Sequence, residues 1–168
     1  EREGISKRIK SYLSKPWVIK PNASGSSLGV KIIREAGDLN NALEFAFRDF
    51  KEIIIQEFIS GRELTCGVID AGVPSSAFAL PPTEIVPVGG AFFDYKAKYE
   101  PAAAMEITPA RLPDSFIQAV KRTALLAHKI IGCRGFSRSD FILNPKGRLY
   151  ILEINTIPGL TENSLLPK

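Results

Sequence analysis

A predicted β-hairpin near the C-terminal end of the sequence places the strongest constraint on how this chain can fold. Two short apolar runs, at residues 141–143 and 149–152, flank the turn sequence NPKG at residues 144–147. Pro and Gly within a tight polar turn between two β-rich runs are typical of a hairpin. If Asn144 pairs with Leu149 across the two arms, Asp140 lies directly opposite Glu153. The hairpin therefore brings two carboxylates together.

Polar side chains share one face of this hairpin. Because side chains alternate between the two faces of a strand, Arg138 and Asp140 lie on one face of the first arm. Glu153 and Asn155 share a face of the second arm for the same reason. Opposed carboxylates destabilise a sheet unless a cation lies between them. Carboxylate and amide oxygens suit Mg²⁺ that is shared with phosphate groups, and not zinc. We therefore predict Mg²⁺ ligands at Asp140, Glu153 and Asn155; the alternative is an exposed strand end with solvated charges.

The composition is that of an ordinary globular protein. The 168 residues suit one domain or two small lobes, with 24% charged and 45% hydrophobic residues. The net charge of +4 comes from Lys and Arg that are scattered without the basic block of a nucleic-acid-binding tail, and a small anionic ligand explains it as well as a polymer would. Apolar runs fall short of the roughly 20 residues that span a bilayer, so we expect a soluble protein. Because the sequence begins with Glu and stops three residues after Leu165, we expect a fragment of a longer protein.

The two cysteines and the single histidine do not form a recognisable metal or catalytic motif. Cys66 and Cys133 lack metal-type spacing, and we expect two reduced, buried thiols in a cytoplasmic protein. His128 falls among Ala, Leu and Ile in a predicted helix. We expect it to have no catalytic role.

A Gly- and Ser-rich loop follows the first predicted strand. That strand ends at Lys20, the loop PNASGSSLG covers residues 21–29, and a second strand follows at 30–33. Small residues let backbone N–H groups approach an anion closely, and a nearby Lys adds a positive charge. The pattern predicts a phosphate-covering hairpin loop. It is not a P-loop, because no Gly-Lys-Ser/Thr follows and the next element is a strand. A flexible Gly/Ser turn is the alternative.

The rest of the chain predicts helices between successive β-hairpins. One short helix is expected over residues 4–14, and Asp38 is expected to cap a second. A third should begin at a capping Asp114 and run to about Ile131, where Gly132 stops it. The inward stripes of the second and third helices are predicted to be Leu39, Leu43, Ala46, Phe47 and Phe50, and Ile117, Val120, Ala124, Ala127 and Ile131. Successive hairpins favour antiparallel sheets, and the irregular residues 87–109 suit a lid.

Five sequence blocks together resemble the ATP-grasp part of the D-alanine–D-alanine ligases. They are VIKPNASGSSLGV, IIIQEFISGREL, FFDYKAKY, IGCRGFSRSDF and LEINTIPGLTENSL, in the family's order and at compatible spacing. The resemblance implies an α+β ATP-grasp fold with two lobes and largely antiparallel sheets, without the family's N-terminal domain. The small lobe would cover residues 1–61. The large lobe would cover 62–168, with a lid at about 87–109, a magnesium-binding hairpin at 138–155 and a substrate loop at 156–165.

The resemblance also assigns roles to individual residues. The implied ATP contacts are Lys20, Ser26, Ser27, Gln56, Glu57, Phe58, Ile59, Glu63 and Lys98. Arg138 and the backbone of Gly159 would stabilise the oxyanion, and the Tyr99 hydroxyl would complete a hydrogen-bonded group with Ser26. Ser164 and Leu165 would contact the carboxylate of the second D-alanine. Asp140, Glu153 and Asn155 match the family's Mg²⁺ ligands, in agreement with the argument from strand faces.

The implied reaction joins two D-alanines for peptidoglycan synthesis. ATP would phosphorylate the carboxylate of one D-alanine, and the amine of the second would displace phosphate from the acyl phosphate. Tyr99 favours the dipeptide over D-alanyl-D-lactate. The resemblance also implies two Mg²⁺ ions that Mn²⁺ could replace, a homodimer, a location in the bacterial cytoplasm, and no nucleic-acid or membrane partner.

Two departures from the family pattern leave alternatives open. Gln56 stands where many members have a glutamate facing the adenine amino group, although an amide oxygen can accept the same hydrogen bond. The missing N-terminal domain carries the glutamate that would hold the first D-alanine, so we expect the fragment to bind nucleotide but to ligate D-alanine poorly alone. The alternatives are another ATP-grasp carboxylate–amine ligase and a non-catalytic nucleotide-binding module.

Overall fold

The described residues form two compact units. The computed structural model describes residues 2–25, 27–72, 76–87, 104–162 and 164–167. The first unit includes the described residues up to Ile59, and the second includes those from Ser60 onward. Both units combine helices with sheets whose paired strands are all antiparallel within these ranges. This arrangement confirms the predicted α+β class.

The first unit folds as a small sheet packed against two helices. Its elements are α1 (Arg2–Tyr12), β1 (Trp17–Pro21), β2 (Lys31–Ile33), α2 (Leu39–Asp49) and β3 (Ile53–Glu57). The sheet has the order β2-β1-β3. The apolar stripe of α2 and the inner faces of the strands bury Trp17, Ile19, Leu39 and Leu43 in one core. The Trp17 indole N–H donates to the Leu13 carbonyl at 3.0 Å, so the buried ring keeps a polar partner.

The second unit places one helix on a larger sheet. Its elements are β4 (Arg62–Ile69), β5 (Phe78–Ala79), β6 (Thr83–Pro87), β7 (Ala104–Ile107), α3 (Asp114–Ile131), β8 (Phe136–Leu143) and β9 (Leu149–Asn155). The described strands lie in the order β7-β6-β4-β8-β9, and β5 pairs with β4. The helix α3 ends at Gly132, whose φ of 76° is left-handed. Glycine adopts that conformation without strain, as the sequence predicts.

Strand β8, which lies between β4 and β9, separates the core from a polar face. Buried residues alternate along it with half-buried ones. Phe141 and Leu143 join Val120 and Ala124 of α3 in the core of this unit. The intervening residues, including Arg138 and Asp140, lie on the opposite face of the sheet. The packing of α3 against one face therefore leaves the other face available for a polar site.

Several details of the helices differ from the sequence-based expectations. Asp38 occupies the N-cap of α2 but makes no side-chain capping bond, and Pro113 rather than Asp114 is the N-cap of α3. Phe47 and Ile131 are exposed, not part of the inward stripes. Hydrophobicity alone overestimates each stripe because it does not reveal where the sheet ends. None of the helices in the described ranges is long and apolar enough to cross a membrane.

Part of the predicted lid is a strand. Residues 104–107 form β7, which pairs with β6 from Glu84↔Ile107 to Pro87↔Ala104. The four-residue run lacks a clear alternation, so its pairing with β6 is what defines it as a strand. Residues 88–103 lie outside the described ranges. Both cysteines are free thiols, as predicted; Cys66 is buried, whereas Cys133 is only partly buried.

Candidate functional site

The predicted hairpin forms, but its register contains an irregularity that the sequence does not reveal. Leu143, not Asn144, pairs with Leu149, and the predicted Asn144–Leu149 pair is therefore wrong. The register shifts between Phe141 and Asp140, so that Asp140 still lies opposite Glu153. A β-bulge adds one residue to one strand of a pair and restores the expected facing. The two carboxylates consequently meet as predicted.

Arg138 and Asp140 form a two-pronged ion pair on the polar face of the sheet. The Arg138 Nε donates to Asp140 Oδ1 and an Arg138 terminal NH₂ donates to Asp140 Oδ2, each at 2.9 Å. Their side chains are only 17% and 20% exposed. Such paired charge-assisted bonds are among the stronger polar contacts in proteins. The pair therefore fixes both the guanidinium and the carboxylate.

Glu153 and Asn155 complete the cluster on the neighbouring strand. The Asn155 Nδ2 lies 3.4 Å from Asp140 Oδ2 and 3.4 Å from Glu153 Oε1. The three predicted Mg²⁺ ligands thus converge, and all can offer oxygen atoms. For the amide to bind a cation its oxygen must face the carboxylates, which requires a flip of the amide plane.

The donor set fits a cation that is shared with a ligand. Within the ranges that the structure describes, no group of three or more His, Cys, Asp or Glu side chains could hold a metal by itself. Two carboxylates and an amide are therefore a partial coordination shell. Mg²⁺ is commonly held by one or two carboxylates and substrate phosphates, and keeps water in its remaining positions. The residues present fit that mode of binding.

The same cluster determines the electrostatics of Arg138. Burial lowers the pKa of Arg138, but the hydrogen bonds that it donates to Asp140 and the charges of Asp140 and Glu153 raise the pKa above its ordinary value overall. The guanidinium is thus a fixed cation beside two carboxylates. It partly neutralises the repulsion that opposed carboxylates would otherwise cause.

Thr65 also contacts Asp140, although it lies far away in sequence. It is the cross-strand partner of Asp140 on β4, and its hydroxyl lies 2.7 Å from Asp140 Oδ1. The side chain is buried. Sequence reasoning missed it because a hairpin pattern identifies only the strand on one side of β8. Its position two residues after Glu63, the predicted ribose contact, was the available signal, because residues two apart in a strand share a face.

The predicted substrate loop is described except at Asn163. The Ser164 N donates to the Thr161 carbonyl at 2.8 Å, and the Thr161 N donates to Ser164 Oγ at 3.1 Å. Their hydroxyls are 2.9 Å apart. A Cβ on Gly159 would lie 2.8 Å from Ser164 Oγ, so a side chain there would require the Ser164 side chain to shift. Thr161, which the sequence did not single out, therefore holds Ser164 in position next to Gly159.

A cavity of about 270 Å³ lies on the polar face of the second unit, and Arg138 and Leu165 are among its lining residues. Three threonines add hydroxyl groups: Thr65, Thr83 and Thr108. The hydroxyls of Thr83 and Thr108 lie 2.6 Å apart. The guanidinium and hydroxyl groups beside apolar walls make this space suitable for a small polar ligand. The structure thus brings two of the predicted site residues to one cavity.

Glu63, the predicted ribose contact, lies on the same polar face. It occupies β4 opposite Ile142 of β8 and Ile85 of β6, and it is half-buried. Because side chains alternate along a strand, Glu63 and Thr65 share a face. The second unit therefore aligns the predicted ribose contact with the cluster around Asp140.

The first unit contains two predicted phosphate contacts. Lys20 is half-buried in β1 and pairs with Ile54 of β3. Ser27 has a positive φ of 57° in the connection between β1 and β2. Its carbonyl accepts a hydrogen bond from the Val30 N at 3.2 Å, which closes a tight turn. Ser26, Lys98 and Tyr99, which complete the predicted set, lie outside the described residues.

The predicted adenine-contacting stretch lies at and just beyond the end of β3. It consists of Gln56, Glu57, Phe58 and Ile59. Glu57 Oε1 accepts a hydrogen bond from the Ser14 N at 2.8 Å. The Phe58 N donates to the Pro16 carbonyl at 2.8 Å. These bonds fix the stretch against the segment that follows α1, a partnership that sequence periodicity did not indicate.

A buried histidine–serine contact lies on the other face of the same sheet. His128 Nδ1 is 2.7 Å from Ser137 Oγ, and His128 Nε2 is 3.7 Å from Asp70 Oδ2. Both His128 and Ser137 are at most 2% exposed. A nucleophile needs access to substrate, which these side chains lack. We therefore interpret the contact as one that joins α3 to β8.

Comparisons with known proteins give a consistent result. All 168 residues match the family model described as D-ala D-ala ligase C-terminus. A D-alanine--D-alanine ligase from Oleidesulfovibrio alaskensis is 46% identical over 153 residues, which are 91% of this chain and 48% of that protein. The chain spans about half the length of the curated relatives it matches.

Solved structures show the same relationship. The VanG D-Ala:D-Ser ligase from Enterococcus faecalis matches with a TM-score of 0.83 at 35% identity, over 98% of this chain and 47% of that one. A D-alanine--D-alanine ligase from Bacillus anthracis complexed with ATP matches with a TM-score of 0.74 at 31% identity, over 94% of this chain and 47% of that one. These matches confirm the predicted fold.

Proposed function

The chain belongs to the D-alanine–D-alanine ligase family, and from this membership we propose that its protein joins two D-alanines into D-alanyl-D-alanine at the expense of ATP. The product would serve as a peptidoglycan precursor. The observation that carries the proposal is the convergence of Arg138, Asp140, Glu153 and Asn155 on one sheet face. Phosphoryl transfer requires chiefly positioning and charge neutralisation, which this cluster can supply.

The proposed reaction has two steps. A carboxylate oxygen of the first D-alanine attacks the γ-phosphorus of ATP, which forms an acyl phosphate and releases ADP. The amine of the second D-alanine then attacks the acyl carbon, phosphate leaves with the bonding electrons, and the amine nitrogen loses a proton as the peptide bond forms. Arg138 would stabilise negative charge on the oxygen of the reacting centre, together with the backbone N–H of Gly159. Neither step requires a Ser or Cys nucleophile from the protein.

Other residues of the chain would bind and orient the substrates. Asp140, Glu153 and Asn155 would hold Mg²⁺. When bound, Mg²⁺, or Mn²⁺ in its place, neutralises phosphate charge during the transfer. Ser164 and Leu165 would contact the carboxylate of the second D-alanine. The ATP contacts would be Lys20, Ser26, Ser27, Gln56, Glu57, Phe58, Ile59, Glu63 and Lys98. Tyr99 would complete a hydrogen-bonded group with Ser26.

We assign the activity to the longer protein and not to the isolated chain. The chain covers about half of each ligase it matches, so groups that hold the first D-alanine are expected from the remainder. By itself the chain should bind nucleotide and ligate poorly. The longer protein is proposed to act as a homodimer in the bacterial cytoplasm, where ATP and D-alanine are available.

A second candidate differs in the second substrate. The match to a D-Ala:D-Ser ligase at 35% identity shows that this fold accommodates another acceptor. In that case the chemistry and the residues of the phosphoryl-transfer site are unchanged, and only the contacts to the second substrate differ. The experiment must therefore distinguish acceptors as well as detect turnover.

The test measures ADP release by the full-length protein with Mg²⁺ and ATP. D-alanine alone, D-alanine with D-serine and D-alanine with D-lactate are compared, and the products are identified by mass spectrometry. We expect D-alanyl-D-alanine as the main product. Preferential formation of D-alanyl-D-serine would favour the second candidate. MgATP binding without any ligation product would instead identify a non-catalytic nucleotide-binding module.

A further inference from the structure

We propose that Thr65 is a positioning residue that orients the Asp140 carboxylate toward Glu153 and Asn155 and so sets the affinity of this site for a divalent cation. The inference deepens the proposed function, because it concerns the metal site of that reaction. It adds a residue from β4 to a site whose other members lie on β8 and β9.

The Thr65 hydroxyl donates its proton to Asp140. Thr65 Oγ1 lies 2.7 Å from Asp140 Oδ1 and 3.4 Å from the Ser139 carbonyl oxygen. An ionised carboxylate only accepts hydrogen bonds, so a hydroxyl at 2.7 Å from it must direct its proton there. The bond is charge-assisted and lies in a buried environment, where Thr65 is 3% exposed.

The two oxygens of Asp140 have different partners. Oδ1 accepts bonds from Thr65 and from Arg138 Nε. Oδ2 accepts a bond from an Arg138 terminal NH₂ and also faces the Asn155 amide, which in turn approaches Glu153. Arg138 thus contacts both oxygens, and Thr65 adds a second anchor at Oδ1, the oxygen that points away from the other predicted ligands. Rotation of the carboxylate about its terminal bond would move Oδ2 away from Glu153 and would break the bond to Thr65.

Strand register fixes the position of Thr65. It is paired with Asp140 in an uninterrupted run of eight residue pairs, from Arg62↔Leu143 to Ile69↔Phe136. The irregularity between Asp140 and Phe141 affects the pairing with β9 only. The anchor therefore comes from the regular side of β8. Groups that orient metal ligands in this way commonly change metal affinity 10–100-fold when they are removed, by rough estimate.

The test compares Mn²⁺ binding by variants of the full-length protein. Free Mn²⁺ is measured by electron paramagnetic resonance in the presence of saturating ADP, for the parent, Thr65→Val and Thr65→Ser. Valine keeps the shape of threonine but lacks the hydroxyl, whereas serine keeps the hydroxyl. We expect Thr65→Val to weaken Mn²⁺ binding by about 10–100-fold, and Thr65→Ser to restore most of it.

Thr123→Val is the matched control. The Thr123 hydroxyl donates to the Ala119 carbonyl within α3 at 2.8 Å, so the substitution removes one hydroxyl at a distance from Asp140. It should leave Mn²⁺ affinity unchanged. Circular dichroism verifies folding, and Thr65→Ala replaces Thr65→Val in the comparison if the valine variant does not fold. Because Thr65 is proposed to act through Asp140, the double variant Thr65→Val with Asp140→Asn should bind Mn²⁺ no more weakly than Asp140→Asn alone.

Unchanged Mn²⁺ affinity in the folded Thr65→Val protein would overturn the inference, as would failure of serine to restore binding. Absence of Mn²⁺ binding by the parent protein would overturn it as well, because no metal site would then exist. A parent that binds Mn²⁺ but does not ligate D-alanine would refute only the proposed function. In that event the Thr65 comparison still decides the inference, since its readout is binding and not turnover.

Discussion

Asp140→Asn should destabilise the metal-free protein, even though it removes one of two opposed carboxylates. Two effects compete in this substitution. Loss of the negative charge relieves repulsion between Asp140 and Glu153, which stabilises the fold. It also deprives the Arg138 guanidinium of its ionic partner, which destabilises the fold. The sign of the net change depends on which contribution is larger.

The structure indicates that the loss of the Arg138 pair is larger. Both bonds between the two side chains are 2.9 Å long, and the side chains are 17% and 20% exposed. Removing one partner of a fully buried pair costs about 3–5 kcal/mol, and we reduce this to roughly 2–3 kcal/mol for partial exposure. Glu153 is exposed, so relief of its repulsion contributes only about 0.2–1 kcal/mol.

The assay is thermal and denaturant unfolding of the full-length protein in EDTA. A net loss of about 2 kcal/mol corresponds to a Tm decrease of roughly 8–16 °C for a unit of about 100 residues. Glu153→Gln is the matched control, because it also removes one carboxylate charge of the cluster. Glu153 is exposed and its carboxylate approaches Asn155 at 3.4 Å, so we expect a change within about 0.5 kcal/mol.

An Asp140→Asn protein as stable as the parent in EDTA would refute this reasoning. It would mean that repulsion between the carboxylates equals or exceeds the contribution of the Arg138 pair. Addition of MgATP provides a second readout on the same proteins. At ~100 times its dissociation constant a ligand adds about 2.7 kcal/mol to the stability of the parent. That gain should be smaller in Asp140→Asn.

Two further predictions concern packing and pH. Gly61→Ala would place a Cβ against the backbone carbonyl of Leu143, and chemical denaturation should show a loss of about 1–3 kcal/mol; Gly37→Ala, whose Cβ meets no atom, should be close to neutral, and equal losses would contradict the packing argument. Burial raises the pKa of the Cys66 thiol to about 12. In the unfolded chain the thiol has a pKa of about 8.5. The contribution of the Cys66 thiol to folding stability is therefore complete below that pH and declines between about 8.5 and 12, by up to about 1.4 kcal/mol per pH unit. Cys66→Ala should show a shallower loss of stability over that range, and identical slopes would count against the prediction.

Local sequence patterns predicted the elements more reliably than their edges. The NPKG turn gave the hairpin, and Gly132 gave the end of α3, because each depends on conformations that those residues adopt readily. The stripe of α3 was correct at Val120 and Ala124. It was wrong at Ile131, whose burial depends on how far the sheet extends beneath the helix. The extent of a neighbouring element is not encoded in the helix itself.

The sequence by itself determined the chemical character of the candidate site. Arg138, Asp140, Glu153 and Asn155 share strand faces because strands alternate, and the family resemblance rests on contiguous blocks of residues. The comparisons with known proteins confirmed the family and the fold. The roles of individual ligands, including those outside the described residues, remain predictions.

Only the tertiary structure decided how these residues are held. It introduced a shift in register after Asp140. Without that shift, the register set by the Leu143–Leu149 pair would not place Asp140 opposite Glu153. It also brought Thr65 within 2.7 Å of a carboxylate 75 positions away in sequence. Pairing between β4 and β8 depends on burial of the whole sheet against α3, a non-local contribution that no short window of sequence contains. The atoms that orient the site therefore become identifiable only when the sheet is assembled.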